Sequence, residues 1–151
     1  VTTLIEESSW GDAPGGLLAS WATDDVTHVG PEVDRSSYPD AARCYLADGR
    51  GVAWNPSGTN GFRLAVDAEL IDQRIPASVV RRARLVEPVE PLDFWRRWTQ
   101  AEVLAKLLDV PILMWVREHG LDVPDLAGES IALRTVAHDD LVLTYGLRAG
   151  A

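Results

Sequence analysis

Two pairs of residues carry the types and spacing that chemistry needs. Asp67 and Glu69 stand two apart in Phe62–Leu70, a run in which apolar residues alternate with polar or small ones. Side chains two apart on a strand leave the same face, so both carboxylates project side by side. Their mutual repulsion disfavours joint ionisation unless a cation or solvent intervenes. Such an oxygen pair suits a hard divalent ion such as Mg²⁺, which takes one or two carboxylates together with substrate phosphates. It equally suits a solvated strand face. The second pair is Glu102 and Lys106, four apart in a segment of helical periodicity. That spacing puts a carboxylate and an ammonium on one helix face, and as an isolated ion pair it adds about 0.3–0.5 kcal/mol. Lys106 is also the one lysine beside 13 arginines. A GC-rich coding bias accounts for the arginine excess. The surviving lysine is informative all the same, because a compact ammonium and a planar guanidinium do different work.

The elements that must position these groups are legible by pattern. Phe62, Leu64, Val66, Ala68 and Leu70 alternate with Arg63, Ala65, Asp67 and Glu69, which predicts a strand with one buried face. Over Leu92–Leu108 the residues Phe94, Trp98, Ala101, Ala105 and Leu108 form one apolar stripe of a helix. Ala77–Val86 reads as an arginine-rich helix, and Ile112–His119 as another, closed by Gly120. Arg43–Ala47 with Gly51–Trp54, and Ile131–Val136 with Leu141–Tyr145, read as two hairpins. Residues 1–40, punctuated by Gly and Pro, read as an irregular leader with one short helix near Leu17–Ala22. This leader is expected to pack on an α+β domain over 41–151, giving one globular unit with an antiparallel sheet and segregated helices.

With D-x-E on its strand and Trp98-Thr99-Gln100-Ala101-Glu102 leading to Lys106 on its helix, the chain resembles the 4′-phosphopantetheinyl transferase superfamily. Members carry D-x-E on a strand and, some tens of residues later, a helix of the form W-(S/T)-x-K-E-x-x-x-K. The resemblance spans about residues 62–108 and is compatible with the final hairpin. It implies Mg²⁺-dependent transfer of the phosphopantetheine arm of coenzyme A to a serine of an acyl or peptidyl carrier protein. Asp67, Glu69 and Glu102 are then the metal ligands, Glu102 the base and Lys106 the phosphate contact. The pattern is not fully kept, since no glycine follows Lys106 closely and no basic residues before Arg43 match those that larger members use on the nucleotide. Ala101 stands where members have a lysine, and residues 41–66 hold no histidine where members place a Ser-His pair against coenzyme A. An alternative is therefore a relative without the transfer reaction, serving as a carrier-binding accessory or a repurposed enzyme in natural-product biosynthesis. Large members have two similar halves and small ones assemble identical subunits, so either residues 1–40 complete a reduced first half or the single module self-associates.

Composition bounds the partners. There are 23 acidic residues, and the net charge is −9 at pH 7. This disfavours nucleic acid or an anionic membrane, both of which call for concentrated Lys and Arg. The one local basic concentration is Arg81, Arg82, Arg84, Arg96 and Arg97. Arg81, Arg82, Arg96 and Arg97 are the expected contacts for an acidic carrier, since local patches govern encounter; pairing with Glu87, Glu90 and Asp93 is the other use of such a cluster. Cys44, alone, leaves no internal disulfide and reads as a small core residue. No apolar run is long enough to span a bilayer and no signal pattern leads the chain, so a cytoplasmic protein is expected.

Overall fold

The computed structural model describes residues 2–150. The chain runs β1 (Thr2–Trp10), α1 (Gly15–Trp21), a single 3-10 turn (Asp24–Val26), β2 (Thr27–Gly30), β3 (Ala42–Tyr45), β4 (Gly51–Trp54) and β5 (Phe62–Leu70). It continues through α2 (Ala77–Arg82), α3 (Pro91–Leu107), α4 (Ile112–His119), β6 (Ile131–His138) and β7 (Leu141–Ala149). The class is α+β, as the pattern of elements implies.

Two antiparallel sheets form, one of four strands in the order β1-β6-β7-β5 and one of three in the order β2-β4-β3. Helix α3 covers one face of the larger sheet. There Phe94, Val103 and Leu107, each with no exposed surface, pack among Ala65, Ile131, Leu133 and Val142. The small sheet covers the other face, with Val52, Trp54 and Cys44 packed on Val66, Ala68, Leu143 and Leu147. The close approach of α3 rests on Gly146 of β7, because a Cβ there would fall 2.3 Å from Val103 Cγ1 and 3.0 Å from Leu107 Cδ1. The start of α3 is set by Pro91 at its first position and by the Glu90 carboxylate. That carboxylate accepts from the backbone N–H of Leu92 at 3.1 Å and of Asp93 at 2.7 Å. It satisfies two of the amides that a helix start leaves unpaired.

Three expectations are corrected. The leader is not irregular throughout: eight residues of β1 pair with β6, interrupted by a bulge between Leu4 and Glu6, and β2 joins the small sheet, while 31–41 lie outside any helix or strand. The strand β5 has both faces covered, not one, because the small sheet takes Val66 and Ala68 while α3 takes the Asp67 side. Helix α2 ends at Arg82 rather than Val86; Ala83 closes its last turn, and Arg84 adopts φ 55°, a left-handed conformation that stops a helix.

Candidate active site

Asp67 lies in the middle of β5 opposite Thr144 of β7, on the face that α3 covers. It is 7% exposed, and its Oδ2 has no hydrogen-bond partner among the described residues. Lys106, in the last turn of α3, places its Nζ 3.6 Å from Asp67 Oδ1 and donates to the Val66 carbonyl at 3.0 Å. Helix and strand thus bring the two halves of the motif together, although they are far apart in sequence.

Glu69 and Glu102 are half-buried beside this pair and close enough to act on it electrostatically. Burial pushes the Asp67 carboxyl well above its usual range, Lys106 opposes that, and Glu102 and Glu69 reinforce it. Burial raises the Glu69 carboxyl to about 7. The neighbouring Gln73 amide favours its ionised form, though the buried Gln73 Nε2 makes no regular hydrogen bond. Glu102 is raised by burial too, with Lys106 working against it. Three carboxyls whose proton affinity is raised together around a single ammonium describe a site short of positive charge. Its oxygen donors, one of them orphaned and buried, have the chemistry a hard divalent cation takes. As the side chains stand, however, no group of three or more His, Cys, Asp or Glu among the described residues is arranged to hold a metal. Cys44 borders the same cluster from β3; it is buried and its thiol is pushed up to about 12, chiefly by burial and next by the Asp67 charge, so it is no nucleophile.

The arginines expected to form one patch divide. Arg96 turns toward β1, pairing with Glu6 at 3.1 Å and Asp93 at 2.5 Å, and Arg97 pairs with Asp122 at 2.8 Å. Both are held inside the fold's own ion pairs. Arg81 and Arg82 are exposed and have no ion pair among the described residues. Arg82 joins Arg84 and Arg117 around a cleft of about 410 Å³ between α2 and α4. Arg117 is the member that sequence order conceals, 35 residues from Arg82 in the chain but across the same cleft in space.

Residues that pattern reading passed over lie between these features. Glu6, Thr135, Thr144 and Asp67 form one lateral row across the four strands, beneath α3. Thr99 and Gln100 of α3 bond into that row. Comparison with family models, with curated proteins and with solved structures finds no match to this chain. What the site does therefore rests on its own geometry. No described helix is long and apolar enough to cross a membrane.

Proposed function

We propose that the chain is a short, divergent member of the 4′-phosphopantetheinyl transferase superfamily, with the module of that family built on β5, α3, β6 and β7. In this reading it transfers the 4′-phosphopantetheine group of coenzyme A to a carrier-protein serine. One observation carries the proposal: Asp67, buried with an unpartnered oxygen, meets Lys106 while Glu69 and Glu102 raise its proton affinity. The meeting of Asp67 from the D-x-E strand with Lys106 from the E-x-x-x-K helix supports this reading. A solvated acidic strand face does not explain a carboxylate that is 7% exposed.

Asp67, Glu69 and Glu102 would hold the Mg²⁺, which when bound neutralises the diphosphate of coenzyme A. Glu102, whose carboxyl is raised by burial, accepts the serine proton more readily than a solvent-exposed glutamate would. Lys106 contributes a cation for the phosphates, within a site where burial strengthens every charge interaction. Arg81 and Arg82, with Arg84 and Arg117 beside them, rather than Arg96 and Arg97, would steer an acidic carrier.

The second reading, a relative that binds carriers without the transfer reaction, is favoured by a specific observation. Lys106 is engaged with Val66 and Asp67, and the carboxylates are not gathered as ligands. Incubation with coenzyme A, Mg²⁺ and a panel of apo carrier proteins, read by intact mass, separates the two. Added phosphopantetheine on a carrier, abolished by Glu102→Gln in a folded protein, is expected. Binding of carriers with no mass added across the panel would leave only the accessory reading.

A further inference from the structure

The row beneath α3 is continuous. Thr144 Oγ1 lies 2.8 Å from Thr99 Oγ1 and 2.9 Å from Thr135 Oγ1, and Gln100 Nε2 donates to Thr135 Oγ1 at 3.1 Å. Gln100 also donates to Glu6, which accepts from Arg96 at 3.1 Å. All three threonines have no exposed surface, and Gln100 is 6% exposed. The helix contributes Arg96 above β1, Gln100 above β6, Thr99 above β7 and Lys106 above β5. The body of α3 follows β7, with Thr99 at Thr144, Val103 at Gly146 and the Leu107 carbonyl accepting from Arg148 at 3.3 Å, while the long side chains of Arg96 and Lys106 reach outward. Its two ends are tied by basic residues to carboxylates on the two outermost strands, and its centre is tied by buried hydroxyls.

We infer that this buried hydroxyl row is a register pin for α3, and that Thr144 is a positioning residue for Lys106 and Glu102. Apolar packing alone leaves a helix on a sheet free to rotate or slide by small amounts, since hydrophobic contact is not directional. A buried hydroxyl that loses its partner is penalised, so the paired row admits one placement of the helix. Lys106 lies seven residues beyond Thr99, about two turns along the same side of α3. A slip at Thr99 is therefore carried directly to the ammonium over β5. What the placed groups then accomplish rests on the transferase reading; the pin itself does not.

Thr144→Val keeps the shape and removes the hydroxyl, and Thr144→Ser restores it. The readout is the NMR contact between the Lys106 side chain and Val66 of β5, with cooperative urea unfolding as the check that the variant is folded. The expectation is a folded Thr144→Val that has lost this contact and a Thr144→Ser that keeps it. A folded Thr144→Val with the contact at wild-type strength overturns the pin, even if the unfolding midpoint has dropped, because lowered stability alone is what a merely structural hydroxyl would show. Thr99→Val is read in the same way should Thr144→Val not fold; its hydroxyl also has the Arg96 carbonyl 3.1 Å away, so it is the milder lesion. In a chain with measurable transfer, Thr144→Val lowers kcat by about tenfold or more with KM for coenzyme A unchanged. Absence of transfer in the wild type removes the catalytic reading and leaves the NMR result to decide the pin.

Discussion

Glu69→Gln tests the electrostatics of the site without any assumption about substrate. The Glu69 carboxyl sits at about 7 in the fold against 4.5 when unperturbed. Moving a carboxyl that far corresponds to about 3 kcal/mol between its two protonation states. Glu69 is only half-buried, so solvent screening reduces the effect on folding to about 1–2 kcal/mol. The sign follows from the direction. A raised carboxyl contributes stability that is fully present below the unfolded value and lost as pH rises through the folded one. The protein should therefore be less stable at pH 8 than at pH 5, with the loss centred between 4.5 and 7. Asp67 and Glu102 shift in the same direction and add to it. The carboxyls lowered by their partners, Asp34, Asp48 and Asp109, titrate below this window and do not oppose it. Glu69→Gln should match wild type near pH 5 and exceed it by about 1–2 kcal/mol at pH 8. Urea unfolding followed by tryptophan fluorescence at the two pH values measures the difference. Parallel stabilities of the two proteins at both pH values would refute the reasoning.

Mg²⁺ at millimolar concentration should raise the urea midpoint at pH 8 more than at pH 5, because protonation competes for the same oxygens. Asp67→Asn should abolish that increment, and an equal increment in the variant places the ion elsewhere. Lys106→Met should destabilise by about 1–3 kcal/mol at pH 8, since it leaves the buried Asp67 carboxylate without its ammonium. Adding Asp67→Asn should return most of that loss, and additive costs in the double-mutant cycle would argue against coupling. Gly146→Ala should cost about 1–3 kcal/mol through overpacking against Val103; Val103→Ala in the same chain should recover part of it, and a neutral Gly146→Ala would contradict the close approach of α3. Cys44 should resist iodoacetamide at pH 8 in the folded protein and react once unfolded, as its thiol at about 12 and its burial require; rapid native alkylation counts against both.

Legibility in the sequence followed the strength of local periodicity. The bounds of β5 and α4 match the pattern, and α3 differs by one residue at each end, because alternation and the helical stripe are regular there. The strand β1 was hidden: Thr-Thr-Leu-Ile-Glu-Glu-Ser-Ser changes polarity in pairs rather than singly, and the bulge at Leu4 and Glu6 shifts its register midway. The convergence of Asp67 with Lys106 was legible only through the motif. The burial of Asp67 was not legible at all, because whether the charged side of β5 meets water depends on where α3 docks. The hydroxyl row was equally opaque. Thr135 and Thr144 read as ordinary strand residues, and Thr99 and Gln100 lie off the apolar stripe, so only the tertiary fold brings them face to face.

The pairing of β1 with β6 also orders events in time. Trp10 lies opposite Ile131 and Thr2 opposite His138, so β1 emerges from the ribosome well before β6 and has no partner until the hairpin of β6 and β7 is made. Until then its Trp10 is without the core it later packs against. The four-stranded sheet, and with it the row under α3, is completed only after β6 and β7 have emerged. Such long-range closure slows folding relative to a chain of local contacts. The charged pair Glu6 and Glu7 in the middle of β1, which later meets Arg96 and Arg134, keeps the waiting strand soluble in the meantime.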